Sequence, residues 1–180
     1  MMNFEELDNI TRDWMLKEFQ NEETSGKPYR SKNMTSGGKS AFSKTMENAI
    51  RNGNEVTLAR ELANPTFWES SYTAVRNGKP YRVSINPIDA ARKLALTEFN
   101  TWYVRGLARR LTEEGVEYCE VYRAEAAWQP RPECEDHDGK RFKVSEIYNG
   151  HRARYWPTEN PAALSVPVGV NCHHTIRRST

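Results

Sequence analysis

The stretch "NPIDAARKLALTEFNTWYVRGLARRLTEEG", residues 86–115, constrains the fold more than any other part of the chain. Asn86 can cap a helix, Pro87 suits the first helical position, Asp89 follows in the first turn, and Gly115 marks a stop. Between them Ile88, Ala91, Ala95, Phe99, Trp102 or Tyr103, and Leu107 recur at steps of three and four. That spacing predicts one long helix with a buried stripe, and Arg105, Arg109 and Arg110 sit off it.

The sequence before this helix reads as further helices joined by loops. "NFEELDNITRDWMLKEFQ" spaces Phe4, Leu7, Ile10, Trp14, Leu16 and Phe19 near helical period, with acids crowding the first turn. Residues 22–39 are rich in Gly, Ser, Pro and Lys without periodicity, which predicts a flexible loop. "SAFSKTMENAIRNG" offers Ser40 or Ser43 as a cap, a stripe of Phe42, Met46, Ala49 and Ile50, and an Asn52-Gly53 stop. "EVTLARELANP" adds a short helical piece ended by Pro65. The pentapeptide "GKPYR" occurs at 26–30 and 78–82; the apolar spacing downstream differs, so these are two similar Gly-Pro turns leading into extended segments.

After the long helix, "GVEYCEVYRAE" fits a strand in which Cys119 is packed rather than reactive. Beyond Ala127 the chain is broken by Pro130, Pro132, Pro157, Pro161 and Pro167, and "KRFKVSEI" is the regular-looking piece. Such a segment needs a staple, either packing on the long helix or a metal. A length of 180 residues suits about one domain with a small appendage. The division drawn is a helical N-terminal region, 1–85, and an α+β region, 86–180. The fold class is α+β: N-terminal helices and one long central helix packed on a small β-containing, zinc-stapled module.

Charge excludes some functions and localises others. Formal net charge is +2, too small to make the chain a nucleic-acid binder on electrostatics alone. Residues 1–24 carry seven acids against Arg12 and Lys17, whereas 25–45 carry Lys27, Arg30, Lys32, Lys39 and Lys44 with no acid, a pattern suited to self-neutralisation or a docking surface. Five Trp, eight Tyr and six Phe argue for a folded core. No apolar run approaches the roughly 20 residues that cross a bilayer, and "MMNFEELDNI" lacks the features of a signal peptide, so a cytosolic protein without a membrane partner is expected. Three cysteines suit a reducing compartment.

The soft metal ligands other than Cys119 all fall in the proline-rich third: Cys134, His137, His151, Cys172, His173 and His174. "PECEDHDG" holds Cys134-x-x-His137, a spacing at which a tight turn brings both side chains to one ion, and Asp138-Gly139 is a turn signal that closes it. "NCHHT" holds Cys172-x-His174; in extended chain these two share a side and His173 points away. Cys134, His137, Cys172 and His174 together give the Cys2His2 set of a closed structural zinc site, while a catalytic metal and no metal remain open readings. A Cys172-His173 nucleophile pair is disfavoured because sequence neighbours do not face each other as a dyad requires. His151, followed by Arg152 and Arg154 that would lower its pKa, offers a metal ligand or general base, but reads first as a solvated loop histidine.

The helix holding Ala90-Ala91-Arg92 to Thr97-Glu98, then "GVEYCEVYRA", then "C-x-x-H-D-G-K-x-F", a proline-rich run and "P-x-G-V-N-C-H-H-T-I" resemble the C-terminal domain of the Mu F-like phage head-morphogenesis, or minor capsid, family over about residues 88–178. In that family the later stretches read "C-x-x-C-x-x-x-x-G-x-x-F" and "H-P-N-C-R-C". Cys134 and His137 stand at the first cysteine pair, Cys172 and His174 at the second, and both Cys-to-His departures keep a zinc-binding side chain. Gly139 and Phe142 match the family's turn glycine and core phenylalanine, and Gly169 stands where the family's His lies. The resemblance implies a non-enzymatic phage minor head protein acting in head morphogenesis in a virion or procapsid assembled in the host cytoplasm. Its implied partners are a portal or capsid protein, with packaged DNA as a further one.

Two other functions compete. A metal-dependent nuclease would use His173 or His151 as base beside a divalent ion. A nucleic-acid-binding accessory would use residues 138–180, which hold seven cations against three acids with Tyr148, Tyr155 and Trp156 interleaved.

Overall fold

The computed structural model describes residues 1–126, 132–156 and 158–179. Pro130 and Pro157, two of the proline breaks, lie outside the described residues. Helices α1 (Asn9–Thr24), α2 (Ser36–Asn52) and α3 (Glu55–Leu62) come first, followed by strands β1 (Ser71–Arg76) and β2 (Lys79–Ser84). Helix α4 (Pro87–Glu113) leads to strand β3 (Tyr118–Arg123) and the one-turn helix α5 (Pro132–Glu135). Strand β4 (Arg141–Lys143), helix α6 (Val144–Asn149) and strand β5 (His174–Arg178) complete the order. The class is mixed α+β, with an antiparallel β1–β2 hairpin and an antiparallel sheet in the order β4–β3–β5.

Helix α4 begins as its sequence predicts: the Asn86 side chain accepts from the backbone N–H groups of Ile88 and Asp89, at 3.0 and 3.2 Å. It is buried far beyond one stripe. All nine residues from Leu96 to Val104 are buried, because α1, α3, α6 and β5 pack around them. Ile88, expected in the stripe, is 59% exposed, since the first turn projects past these neighbours. One hydrophobic cluster runs from Met2 to Ile176, so the regions on either side of residue 86 share a core.

The N-terminal segment departs from its predicted period. Asp8 accepts from the Thr11 N–H at 2.9 Å and starts α1 there, which leaves the acids Glu5 and Glu6 outside the helix. The buried face is Thr11, Met15, Glu18 and Phe19, while Ile10 is exposed. Phe4 packs instead from the preceding segment, its ring centroid 4.7 Å from that of Tyr103 and 5.4 Å from that of Phe99. Trp14 lies under Lys17 and Arg109 as a cation–π partner.

The expected loop over 22–39 is shorter and more tied down than its composition suggests. Helix α1 runs on to Thr24, and Thr35 caps α2 by accepting from Gly38 N–H. Arg30 forms a two-pronged pair with Glu23 at 2.6 and 2.8 Å, and Met34 is buried and bridged to Trp68. The α2 stripe of Phe42, Met46, Ala49 and Ile50 is buried as read from sequence. The β1–β2 hairpin is a feature that sequence reading missed. Its signal was Asn77-Gly78, both at positive φ (51° and 74°), the conformation a two-residue hairpin turn requires.

Helices α1 and α4 cross at Gly106. A Cβ there would stand 2.6 Å from the Met15 backbone nitrogen, so the two backbones meet with no room for a side chain. Gly106→Ala should therefore force the helices apart and cost about 1–3 kcal/mol. Urea denaturation followed by circular dichroism measures this, and an unchanged midpoint would contradict the packing described.

Candidate metal centre

Three elements that are short or irregular by themselves deliver the site. Cys134 lies on α5, Cys172 in the loop before β5, and His174 is the first residue of β5. The β3–β5 register sets Arg123 opposite His174, and Ala124 N–H donates to His173 O at 2.9 Å, which fixes the strand's entry. The side chains of Cys134, Cys172 and His174 are 5%, 3% and 3% exposed, with ligand atoms all within 4.8 Å of one another.

The distances decide what the cluster can hold. The Cys134 and Cys172 Sγ atoms are 3.6 Å apart, and Cys172 Sγ is 3.9 Å from His174 Nδ1. A disulfide needs about 2.05 Å. Ligand atoms about 2.3 Å (S) and 2.0–2.1 Å (N) from a tetrahedral zinc stand roughly 3.5–3.8 Å from each other, so the Cys134–Cys172 and Cys172–His174 separations are close to two edges of such a shell, and the three atoms lie within 4.8 Å of one another. Two thiols and an imidazole are also a donor set that suits zinc.

Cys172 and His174 share one side of the chain, as their i, i+2 spacing predicts, and His173 turns away to place Nε2 4.0 Å from Glu125 Oε2. Burial lowers the His174 pKa, with Asp138 opposing and Arg123 adding to the effect; a neutral imidazole is the form that binds metal. Its Nε2 lies 3.6 Å from Asp138 Oδ1, and that oxygen accepts from Arg123 N–H at 2.8 Å. At that separation Asp138 is an electrostatic neighbour of the ring and not a hydrogen-bond partner.

His137 is not brought into this group. The turn that its spacing predicts is present, with His137 N–H donating to Cys134 O at 3.3 Å and Gly139 N–H to Val121 O at 2.8 Å. Its ring packs edge-on against Phe142 instead, with centroids 5.7 Å apart. Cys119 is remote and packed: it is fully buried, its Sγ donates to Phe142 O at 3.7 Å, and burial pushes the thiol up to about 12.

A second polar cluster, not foreseen from the sequence, lies under the centre of α4. Arg152 donates to both oxygens of Glu98 at 3.0 and 2.8 Å and to both of Glu22 at 2.7 and 3.0 Å. Arg152 and Glu98 are buried, and Arg152 sits at φ 55°, a strained conformation that its two carboxylate partners hold in place. The overlooked signal was Glu98 itself, a carboxylate in the apolar centre of a helix. His151 belongs here too and is not the solvated loop residue expected: its Nε2 is 3.1 Å from Glu22 Oε1 and its ring lies against Trp102. Its pKa is lowered first by burial and then by Arg152 and Arg105, with Glu22 opposing.

Three of the seven cations over 138–180 are consumed within the fold. Arg177 pairs with Glu5 and Glu120, Arg178 with Glu6 and Glu114, and Arg152 as described, so these three present little free charge to a phosphate backbone.

Burial raises the Glu22 carboxyl, but hydrogen bonds from His151 and Arg152 outweigh it and bring the group from 4.5 to about 2. A carboxylate whose pKa falls on folding contributes stability that is complete above 4.5 and lost as pH drops from 4.5 towards 2. Glu22→Gln should flatten the acid limb of a melting-temperature profile across that window. For the metal cluster, Cys134→Ser or Cys172→Ser should abolish zinc retention after dialysis, measured by elemental analysis, whereas His137→Ala should leave it in place. Compared with protein-family models, curated proteins and solved structures, the chain matches none.

Proposed function

We propose that the chain is a non-enzymatic phage minor head protein of the Mu F-like head-morphogenesis kind, in which Cys134, Cys172 and His174 hold a structural zinc. The observation that supports this reading is the convergence of those three residues. They carry the resemblance in the sequence, and Cys134 and Cys172 lie 38 positions apart, yet their sulfurs meet at 3.6 Å and all three ligand atoms lie within 4.8 Å of one another. Zinc would supply a cross-link between α5 and the start of β5. Closing a loop of that length removes roughly 4 kcal/mol of chain entropy from the unfolded state, a large contribution for a segment with so little regular structure.

The chain's own residues then present a rigid α+β surface to a portal or capsid protein, within a virion or procapsid assembled in the host cytoplasm, with packaged DNA as a further partner. No helix among the described residues is long and apolar enough to cross a membrane. With His137 outside the cluster, three ligands leave the fourth position of a tetrahedral shell open, which is the feature a nuclease needs; the placement of its bases tells against that reading. Its two candidate bases, His173 and His151, face Glu125 and Glu22 and stand outside the three-ligand cluster.

Two measurements test the proposal. Purified protein should contain about one zinc per chain and lose thermal stability in chelator. Co-expressed with the portal and major capsid proteins from its own gene cluster, it should sediment with procapsids. A chain that stays at the top of the gradient, or that cuts plasmid DNA with magnesium, manganese or zinc, would sink the head-protein reading.

A further inference from the structure

The acids and bases of the N-terminal third do not cancel as their order in the sequence suggests. Asp8, Glu18 and Glu22 pair with Arg110, Arg105 and Arg152, and of the basic stretch Arg30 is the residue that finds an acid, Glu23. Lys27, Lys32, Lys39 and Lys44 are exposed and form no ion pair among the described residues. Residues 70–88 add Arg76, Lys79 and Arg82 with no acid. A groove of about 700 Å³ lies between the 29–33 loop, the hairpin and the start of α4; Arg30 and Lys32 of the first basic stretch line it, whereas the hairpin contributes uncharged residues.

The groove's composition points to what it takes. Its apolar lining comes from Trp68, Tyr72, Val83, Ile85 and Leu94, and its cations are Arg30, Lys32 and Lys93. Tyr72 and Val83 are cross-strand partners, so one face of the hairpin forms a wall. Asp89, the acid among the described lining residues, is tied to Arg92 at 4.0 Å. Both outer edges of the β1–β2 pair carry backbone groups that no other described strand pairs with.

We propose that this groove docks an acidic peptide segment of a partner protein, one carrying carboxylates beside apolar anchors. The cations match the carboxylates and the apolar lining matches the anchors. A single-stranded nucleic acid fits less well, because it needs open aromatic faces on which bases stack. Trp68 is buried with its ring N–H donating to Leu62 O, Tyr29 is stacked on Tyr155 with centroids 5.1 Å apart, and Tyr72, 41% exposed, is a single open ring where a run of stacked bases needs several. The inference stands apart from the head-protein reading and holds or fails without it.

The test is selection of a displayed library of random dodecamer peptides on the immobilised full chain. Selected sequences should be enriched in Asp and Glu together with Leu, Phe or Trp. A fluorescein-labelled peptide made from one of them should bind at least about tenfold more weakly to the Lys32→Glu, Lys93→Glu double variant, a loss typical of reversed charge complementarity. Both lysines are exposed and form no ion pair among the described residues, so the variant should melt as the parent does; Tyr72→Ala, at the hairpin wall, should weaken binding independently. Failure to enrich acidic sequences, or equal binding by the double variant, would overturn the proposal. So would an oligothymidylate that binds the groove more tightly than any selected peptide.

Discussion

Polar side chains buried at the centre of α4 tie it to distant segments, and these ties organise the molecule, although Asn100 Oδ1 and Trp102 Nε1 find no partner among the described residues. Its buried stretch includes Thr97, Glu98, Asn100 and Thr101. The threonine hydroxyls return to carbonyls of their own helix, Lys93 O and Thr97 O. Glu98 and Asn100 have no such recourse, and a buried carboxylate left alone would be strongly destabilising. Each is met by the C-terminal third: Glu98 by Arg152, and Asn100 by the carbonyl of His174, to which its side-chain amide donates at 2.8 Å. Arg105 adds a third tie by donating to Tyr148 O at 2.6 Å.

These ties explain how a proline-broken segment with few residues in strands keeps one shape. Its regular elements are too short to specify their own positions, so α4 specifies them from outside. The Asn100 bond bears directly on the metal cluster, because it pins the backbone of one ligand while the β3–β5 pairing pins the strand that follows. The backbone of His174 is thus fixed by α4 and β3 through contacts that do not involve a metal.

The same economy of charge shapes the surface. Glu18 and Glu22 of α1 are drawn inward to Arg105 of α4 and to Arg152, where pairing offsets their desolvation, and the lysines of the 25–45 stretch are left facing water. Lysine suits that position, since its compact ammonium stays strongly hydrated on a flexible stem. What reads in sequence as an acidic segment followed by a basic one becomes a neutralised interior interface and a basic groove.

Local sequence accounts for much of the scaffold. The cap at Asn86, the α2 stripe, the strand at 118–123 and the shared side of Cys172 and His174 all follow from rules that act over a few residues. So does the grouping of the soft ligands in the last third, since residue type alone restricts which side chains can bind zinc. Several features needed the tertiary structure. The Phe142 ring occupies His137 on a turn whose spacing is right for a ligand; Glu98 joins residues 54 positions away through Arg152; and the basic loop gains an apolar neighbour in the hairpin. Helix period, capping and ligand chemistry are properties of adjacent residues and are written in their order. Which buried charge meets which, and which way a side chain on a turn points, depends on packing between distant segments.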